Sequence, residues 1–293
     1  MHYKLKDILK QASESNYAIG HFNFSTLEIL KAVVSSCKDL KSVVFVGTSE
    51  GEARAVGYRQ AAHLIRAWRE EFPEIPMFLN ADHHKTFESA KMAIDAGYDS
   101  IQIDEMSLTL EENIKISKQL VVYARSVNPD ISVEGGLGYI RGASEVIKVK
   151  VEVREEDMTT PEEAEHFVQE TGVDRLAVVF GNMHGISSEG NPRLNIDRLR
   201  AIREAIPHVP LTLHGGSGIA DEDIKATLEY GMSNIHVNTE IRVAYTDALR
   251  KSLEEDKDET TPYKYLDPAG AAARDIIEGK LKLFGAVNLP FFN

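Results

Sequence analysis

Short apolar runs alternate with stretches of helical period along the whole chain. The longest runs are Val43-Val44-Phe45-Val46 and Leu176-Ala177-Val178-Val179-Phe180. Their length and β-branched content read as strands covered on both faces, as in a parallel sheet. Eight strands are predicted: Ile19–Phe22, Val43–Gly47, Met77–Ala81, Ser100–Asp104, Ile131–Glu134, Arg175–Phe180, Pro210–His214 and Asn234–Asn238. Between them, Leu27, Leu30, Val33, Val34, Cys37 and Leu40 form an apolar helical stripe. Leu110, Ile114, Val121 and Ala124 form a second, interrupted by Ser117, and Ile196, Leu199, Ile202 and Ile206 a third. Thr160-Pro161-Glu162-Glu163 reads as a capped helix start. Gly97, Gly172 and Gly231 each follow a helical stretch and precede a strand. Strand then helix, eight times over, predicts one α/β domain over residues 1–293, a (β/α)8 TIM barrel, in preference to a doubly wound open sheet. The connection at about 135–160 is long, which suggests a mobile loop or a small excursion over the active face. Beyond Pro262 a further helical stretch forms a C-terminal tail.

Composition narrows the function. The 293 residues carry 33 Lys+Arg against 46 Asp+Glu, a net charge of −13. That argues against nucleic acid or an anionic membrane surface as partner. An anionic small molecule stays open, since a metal or a few local cations can dominate one pocket. The one cysteine, Cys37, excludes an intrachain disulfide and a cysteine-rich zinc site, and points to the cytoplasm. The start, Met1 to Asp7, lacks the apolar stretch of a signal peptide, and no apolar run approaches the ~18 residues of a membrane span.

The chemistry lies just past the strands. Asn23, Thr48, Asp82-His83-His84, Asp104, Glu134, Asn182 with His184, His214 and Asn238 all fall there. In a barrel these ends converge on the face where active sites are built. His83, His184 and His214 have the composition of a catalytic zinc site, in which three imidazoles leave a position open. Asp104 is placed to orient a ligand histidine or hold a second cation position. His21 and His236 lie within strands and read equally well as core residues. His214-Gly215-Gly216-Ser217-Gly218, with Asp221 opening a helix, offers backbone N–H groups to a phosphate, and Asn238-Thr239 follows the next strand.

Together these residues resemble the class II, metal-dependent fructose-bisphosphate and tagatose-bisphosphate aldolases. The likeness runs through Ala18-Ile19-Gly20-His21-Phe22-Asn23, Asn80-Ala81-Asp82-His83, the segment from Ala93 to Asp104, Gly181-Asn182-Met183-His184-Gly185, His214 to Ile219 and Val237-Asn238-Thr239-Glu240. The resemblance implies a zinc-assisted (or other divalent-metal) retro-aldol cleavage of a phosphorylated ketose to dihydroxyacetone phosphate and an aldehyde. Fructose 1,6-bisphosphate is the default substrate and the tagatose isomer the second. The ion acts as a Lewis acid and Asp82 exchanges the proton on the C4 hydroxyl. Gly185, Gly215, Ser217, Asn238 and Thr239 hold the near phosphate, with Asn23 also in the substrate set. A monovalent cation near that phosphate and a homodimer or homotetramer are further implications.

The departures cluster near the chemistry. The family's glutamate after the fifth strand is Gly136 here, with Glu134 two residues earlier as the replacement metal contact. Its mobile-loop glutamate falls at Ser144, with Glu145 adjacent and able to serve after a one-residue slip. A substrate-contacting asparagine is His236, a glycine is His84, and an arginine for the far phosphate is Tyr263. The expectation is a divergent aldolase. Two rivals are a barrel metal hydrolase, whose His-x-His is replaced by His21-Phe22-Asn23, and a metal- and phosphate-binding homologue without turnover.

Overall fold

A computed structural model of the chain describes residues 3–103 and 108–292. Ten strands are present among them: β1 (Ile19–Asn23), β2 (Val44–Ser49), β3 (Met77–His84), β4 (Ser100–Ile103), β5 (Ser132–Leu137), β6 (Arg141–Ile147), β7 (Arg175–Val178), β8 (Met183–Ser187), β9 (Leu211–Leu213) and β10 (Met232–Val237). Eight of them, β1-β2-β3-β4-β5-β7-β9-β10, pair in parallel and close on themselves as a barrel. These are the eight strands expected from the apolar runs. Asp104, expected at the end of β4, lies outside the described residues.

Local chemistry sets the helix ends between them. Thr160 accepts from the Glu163 N–H while the Glu163 carboxylate accepts from Thr160, and Pro161 sits in the first turn. That helix, Pro161–Thr171, ends at Gly172 with φ 66°, a left-handed position that costs a glycine nothing. No helix among the described residues is long and apolar enough to cross a membrane. The C-terminal helix Pro262–Leu283 packs on the helices Leu27–Leu40 and Thr239–Glu255. The chain end docks beside the start, with the Tyr3 hydroxyl donating to the Phe291 carbonyl at 2.7 Å.

The long connection after β5 is an excursion with its own sheet. β6 and β8 pair in parallel, with Gly142 opposite His184. The ribbon stands apart from the barrel sheet. Gly185 makes the close approach possible. At its φ of 86°, a Cβ would sit 2.2 Å from the Ala143 carbonyl oxygen.

The barrel interior is polar rather than aliphatic at its centre. Arg175 is fully buried there. Its Nε donates to Glu134 Oε2, Nη1 to Ser132 Oγ at 3.0 Å and Nη2 to Asn80 Oδ1 at 3.1 Å. The guanidinium lies 4.7 Å from the Phe45 ring centroid. Each guanidinium nitrogen thus has a partner, the Glu134 carboxylate, the Ser132 hydroxyl or the Asn80 amide oxygen, which is what makes a buried ion pair tolerable.

Candidate active site

The strand β3 ends in a bulge that aims two consecutive residues at one place. Its pairing with β4 shifts register between Ala81 and His84, and His83 adopts φ 49°. In a regular strand neighbours face opposite sides. The bulge lets Asp82 and His83 both face the barrel mouth. His84 points elsewhere, with its ring 5.8 Å from that of Tyr58. A left-handed conformation at a non-glycine residue is costly and concentrates at functional sites.

His83, His184 and His214 come together although they are spread from β3 to β8 to the loop after β9. Each offers a ring nitrogen, and the three nitrogens lie within 4.8 Å of one another. Ring centroids are 4.7 Å apart for His83 and His184 and 4.4 Å for His83 and His214. His214 Nδ1 is buried and has no hydrogen-bond partner. Its other nitrogen, Nε2, is 2.7 Å from Glu134 Oε1. An ionised Glu134 only accepts, so His214 carries its proton on Nε2 and presents the Nδ1 lone pair to the cluster. A buried lone pair beside two more imidazoles suits a divalent cation.

Glu134 lies beside this cluster and forms, with His214 and His236, a second group whose potential ligand atoms lie within 4.8 Å of one another. Its oxygens are taken by Arg175, by His214 and by Thr212 Oγ1 at 3.1 Å. Burial alone would raise its pKa. The Arg175 charge and the His214 hydrogen bond outweigh burial and hold the carboxyl well below its usual range.

Asp82 borders the cluster, with Oδ1 3.9 Å from both His83 Nε2 and His214 Nδ1. Its Oδ2 accepts from Asn23 Nδ2 at 2.9 Å and its Oδ1 from His236 Nδ1 at 3.1 Å. Burial pushes this carboxyl up, but the His83 charge and the His236 hydrogen bond hold it well below the usual carboxylate range. His236 is stacked on His21, with centroids 3.6 Å apart and planes 3° from parallel. Burial, then the neighbouring His21 and His214 rings, hold His236 neutral. Burial likewise takes His21 down to about 4. Gly47 makes room for His21, because a Cβ there would lie 2.1 Å from its Cε1.

The glycine-rich loop is held by neighbours on three sides. Asn191 Nδ2 donates to the Gly185 carbonyl at 3.0 Å and the Ser217 carbonyl at 2.9 Å, tying two loops together. Gly216 N–H donates to the His236 carbonyl, and Gly218 N–H to Glu240 Oε1 at 2.6 Å. Ser217 Oγ accepts from the Glu240 N–H at 3.3 Å. Asn238 and Thr239 stand at the start of the helix Thr239–Glu255, whose positive dipole end faces the loop.

On β6 it is Ser144 rather than Glu145 that meets this helix. Ser144 Oγ lies 3.1 Å from Thr239 Oγ1 and accepts from Arg242 Nη2 at 3.0 Å. Glu145 is exposed, and no hydrogen bond or ion pair joins its carboxylate to the described residues. Three residues escaped the sequence reading: Arg175, Arg242 and Glu52. Glu52 Oε2 accepts from Asn23 Nδ2 at 2.7 Å, and Oε1 from Asn238 Nδ2 at 3.2 Å. The motif Ser49-x-x-Glu52 directly after a strand, a capping box at the barrel mouth, is the signal that finds it.

A cavity of about 610 Å3 opens at the opposite end of the barrel, lined by Tyr3, Lys6, Arg69 and Asp99 among others. Its cations are already engaged, Lys6 with Asp174 and Arg69 with Asp99. At the other end, where barrels of this kind carry their active sites, a cavity of about 20 Å3 touches His83, His214 and Gly136. That volume holds about one water molecule.

Comparison with known proteins gives the family. The family model described as Fructose-bisphosphate aldolase class-II matches residues 3–289. This chain belongs to that family. The class II aldolases are metal-dependent lyases acting on phosphorylated sugars, so the protein is an aldolase, as its motifs led one to expect. The fructose-bisphosphate aldolase of Staphylococcus epidermidis is 35% identical over 286 residues, 97% of each chain. That of Geobacillus stearothermophilus is 34% identical over 284 residues, 96% of each. Among solved structures, the YdjI aldolase from Escherichia coli K12 superposes with a TM-score of 0.80 at 28% identity, covering 98% of this chain and 99% of that one.

Proposed function

We propose that this aldolase cleaves a phosphorylated ketose to dihydroxyacetone phosphate and an aldehyde, using a zinc ion held by His83, His184 and His214. Fructose 1,6-bisphosphate is the first substrate to test and tagatose 1,6-bisphosphate the second. The observation that carries the reading is the gathering of three imidazole nitrogens within 4.8 Å, one of them a buried lone pair with no other partner. Three imidazoles and an open position suit zinc among the divalent metals. When bound, the ion supplies Lewis-acid polarisation of the ketose carbonyl.

The chain's own groups do the rest. Asp82, ionised and buried, takes the proton of the C4 hydroxyl in cleavage and returns it in condensation. Asn23 and His236 hold that carboxylate in position through one hydrogen bond to each oxygen. Glu134 orients His214. Gly185, Gly215, Ser217, Asn238 and Thr239 receive the near phosphate, with the helix dipole in support. Glu145 reaches the pocket only if the β6 ribbon moves, and Asp104, outside the described residues, keeps the supporting role that the family resemblance implies for it. A monovalent cation beside the phosphate loops, a homodimer or homotetramer and a cytoplasmic location complete the reading. The single buried thiol of Cys37 is in keeping with that location.

The test uses zinc-loaded protein and either bisphosphate, with release of dihydroxyacetone phosphate followed by its enzymatic reduction. Cleavage should fall to background after complete chelation and return with zinc. Cleavage that survives metal removal would overturn the proposal.

A further inference from the structure

The barrel mouth carries opposite electrostatic characters on its two sides. On one side are the glycine-rich loop, the start of the helix Thr239–Glu255, and Arg242. On the other, over the ends of β1, β2 and β3, are two carboxylates, Asp82 and Glu52. The Asn23 amide nitrogen links them, at 2.9 Å from Asp82 Oδ2 and 2.7 Å from Glu52 Oε2. Glu52 is fixed there: its Oε2 also accepts from the Ser49 N–H at 2.8 Å, closing a capping box, and its Oε1 accepts from the Asn238 side-chain amide, where the two sides of the mouth meet. All its partners are neutral amides. No cation forms an ion pair with it among the described residues, and the nearby Arg54 is engaged by Glu50 at 2.8 Å. The mouth therefore holds a positioned, uncompensated negative charge beside Asp82.

We infer that Glu52 reads the aldehyde half of the substrate and selects ketose 1-phosphates whose far end is an uncharged polyol. The inference rests on the proposed function, in which one phosphate sits on the loop side and the carbon chain runs past Asp82. A second phosphate at the far end would bring close to two negative charges against the half-buried Glu52, where like charges repel. Sugar hydroxyls meet no such penalty. A carboxylate is a strong acceptor for them. A fructose 1,6-bisphosphate molecule is still turned over, less efficiently than its monophosphate counterpart.

Glu52→Gln is the informative variant, because glutamine keeps the cap at this helical position while removing the charge. The measurement is kcat/KM of the zinc-loaded protein for fructose 1-phosphate and for fructose 1,6-bisphosphate. The wild type should favour the monophosphate. E52Q should move the bisphosphate-to-monophosphate ratio upward about tenfold, the size of effect expected for one nearby charge. Glu50→Gln is the control, since Glu50 is also a carboxylate on this helix but is tied to the Lys85 N–H and the Ser89 hydroxyl; it should leave the ratio unchanged. Should E52Q fail to fold, the wild-type ratio across ionic strength reads the same charge, and rising salt should favour the bisphosphate. A wild type that prefers the bisphosphate, or a ratio indifferent to E52Q or to salt, overturns the inference and leaves the aldolase reading standing. Cleavage of neither sugar overturns both.

Discussion

Arg175→Met should destabilise the barrel by about 3–5 kcal/mol, the cost of leaving one partner of a buried ion pair uncompensated. Arg175 and Glu134 are both fully buried at the barrel centre. Removing the guanidinium strands the Glu134 carboxylate, leaves the Ser132 hydroxyl without its donor, and takes from Asn80 Oδ1 one of its two donors, Ser100 Oγ remaining. The effect should reach the proposed metal centre, because Glu134 holds His214. Weakening the support of a ligand histidine typically costs 10–100-fold in metal affinity. Denaturant unfolding and zinc competition measure the two effects separately. Adding Glu134→Met to Arg175→Met should restore much of the stability, since an apolar pair of similar volume is tolerated where a lone charge is not. It should not restore zinc affinity, because His214 Nε2 then has no acceptor. Recovery of both would mean that the pair serves folding alone.

Asp82→Asn should lower kcat by about 10²–10⁴-fold, the range for loss of a general acid–base group. Asparagine preserves shape but cannot exchange a proton at the C4 hydroxyl. Zinc content should stay at the wild-type level, because Asp82 Oδ1 stands 3.9 Å from the nearest ligand nitrogens and is held by Asn23 and His236. A group acting mainly in the transition state lowers kcat and kcat/KM together. A rate within a few-fold of wild type, or a loss that tracks lost zinc, would assign Asp82 a structural role.

The barrel was legible because its strands are short, apolar and buried on both faces, as in Phe45 and Val46 on β2. The three histidines were legible because a closed parallel barrel sends every strand end to one rim. The ribbon was not. β6 is Arg-Gly-Ala-Ser-Glu-Val-Ile, mostly exposed, and pairs with β8 across about forty residues of chain, so no local periodicity announces it. Arg175 reads as a solvent-facing first residue of a strand. Its long side chain instead turns inward to meet Glu134, Ser132 and Asn80, contacts that only the closed barrel creates. Glu52 was hidden by a boundary: β2 runs on to Ser49, and the carboxylate reaches back from the next helix. The bulge at His83 is equally invisible in sequence, yet without it Asp82 and His83 would face opposite sides of the sheet.

X-ray absorption at the zinc edge, on protein loaded with one equivalent of metal, addresses the centre of this account most directly. The geometry predicts one ion per chain with three imidazole nitrogens at about 2.0–2.1 Å, and loss of that signature in His214→Ala. A spectrum with fewer than three imidazoles, or one unchanged by that substitution, would contradict it.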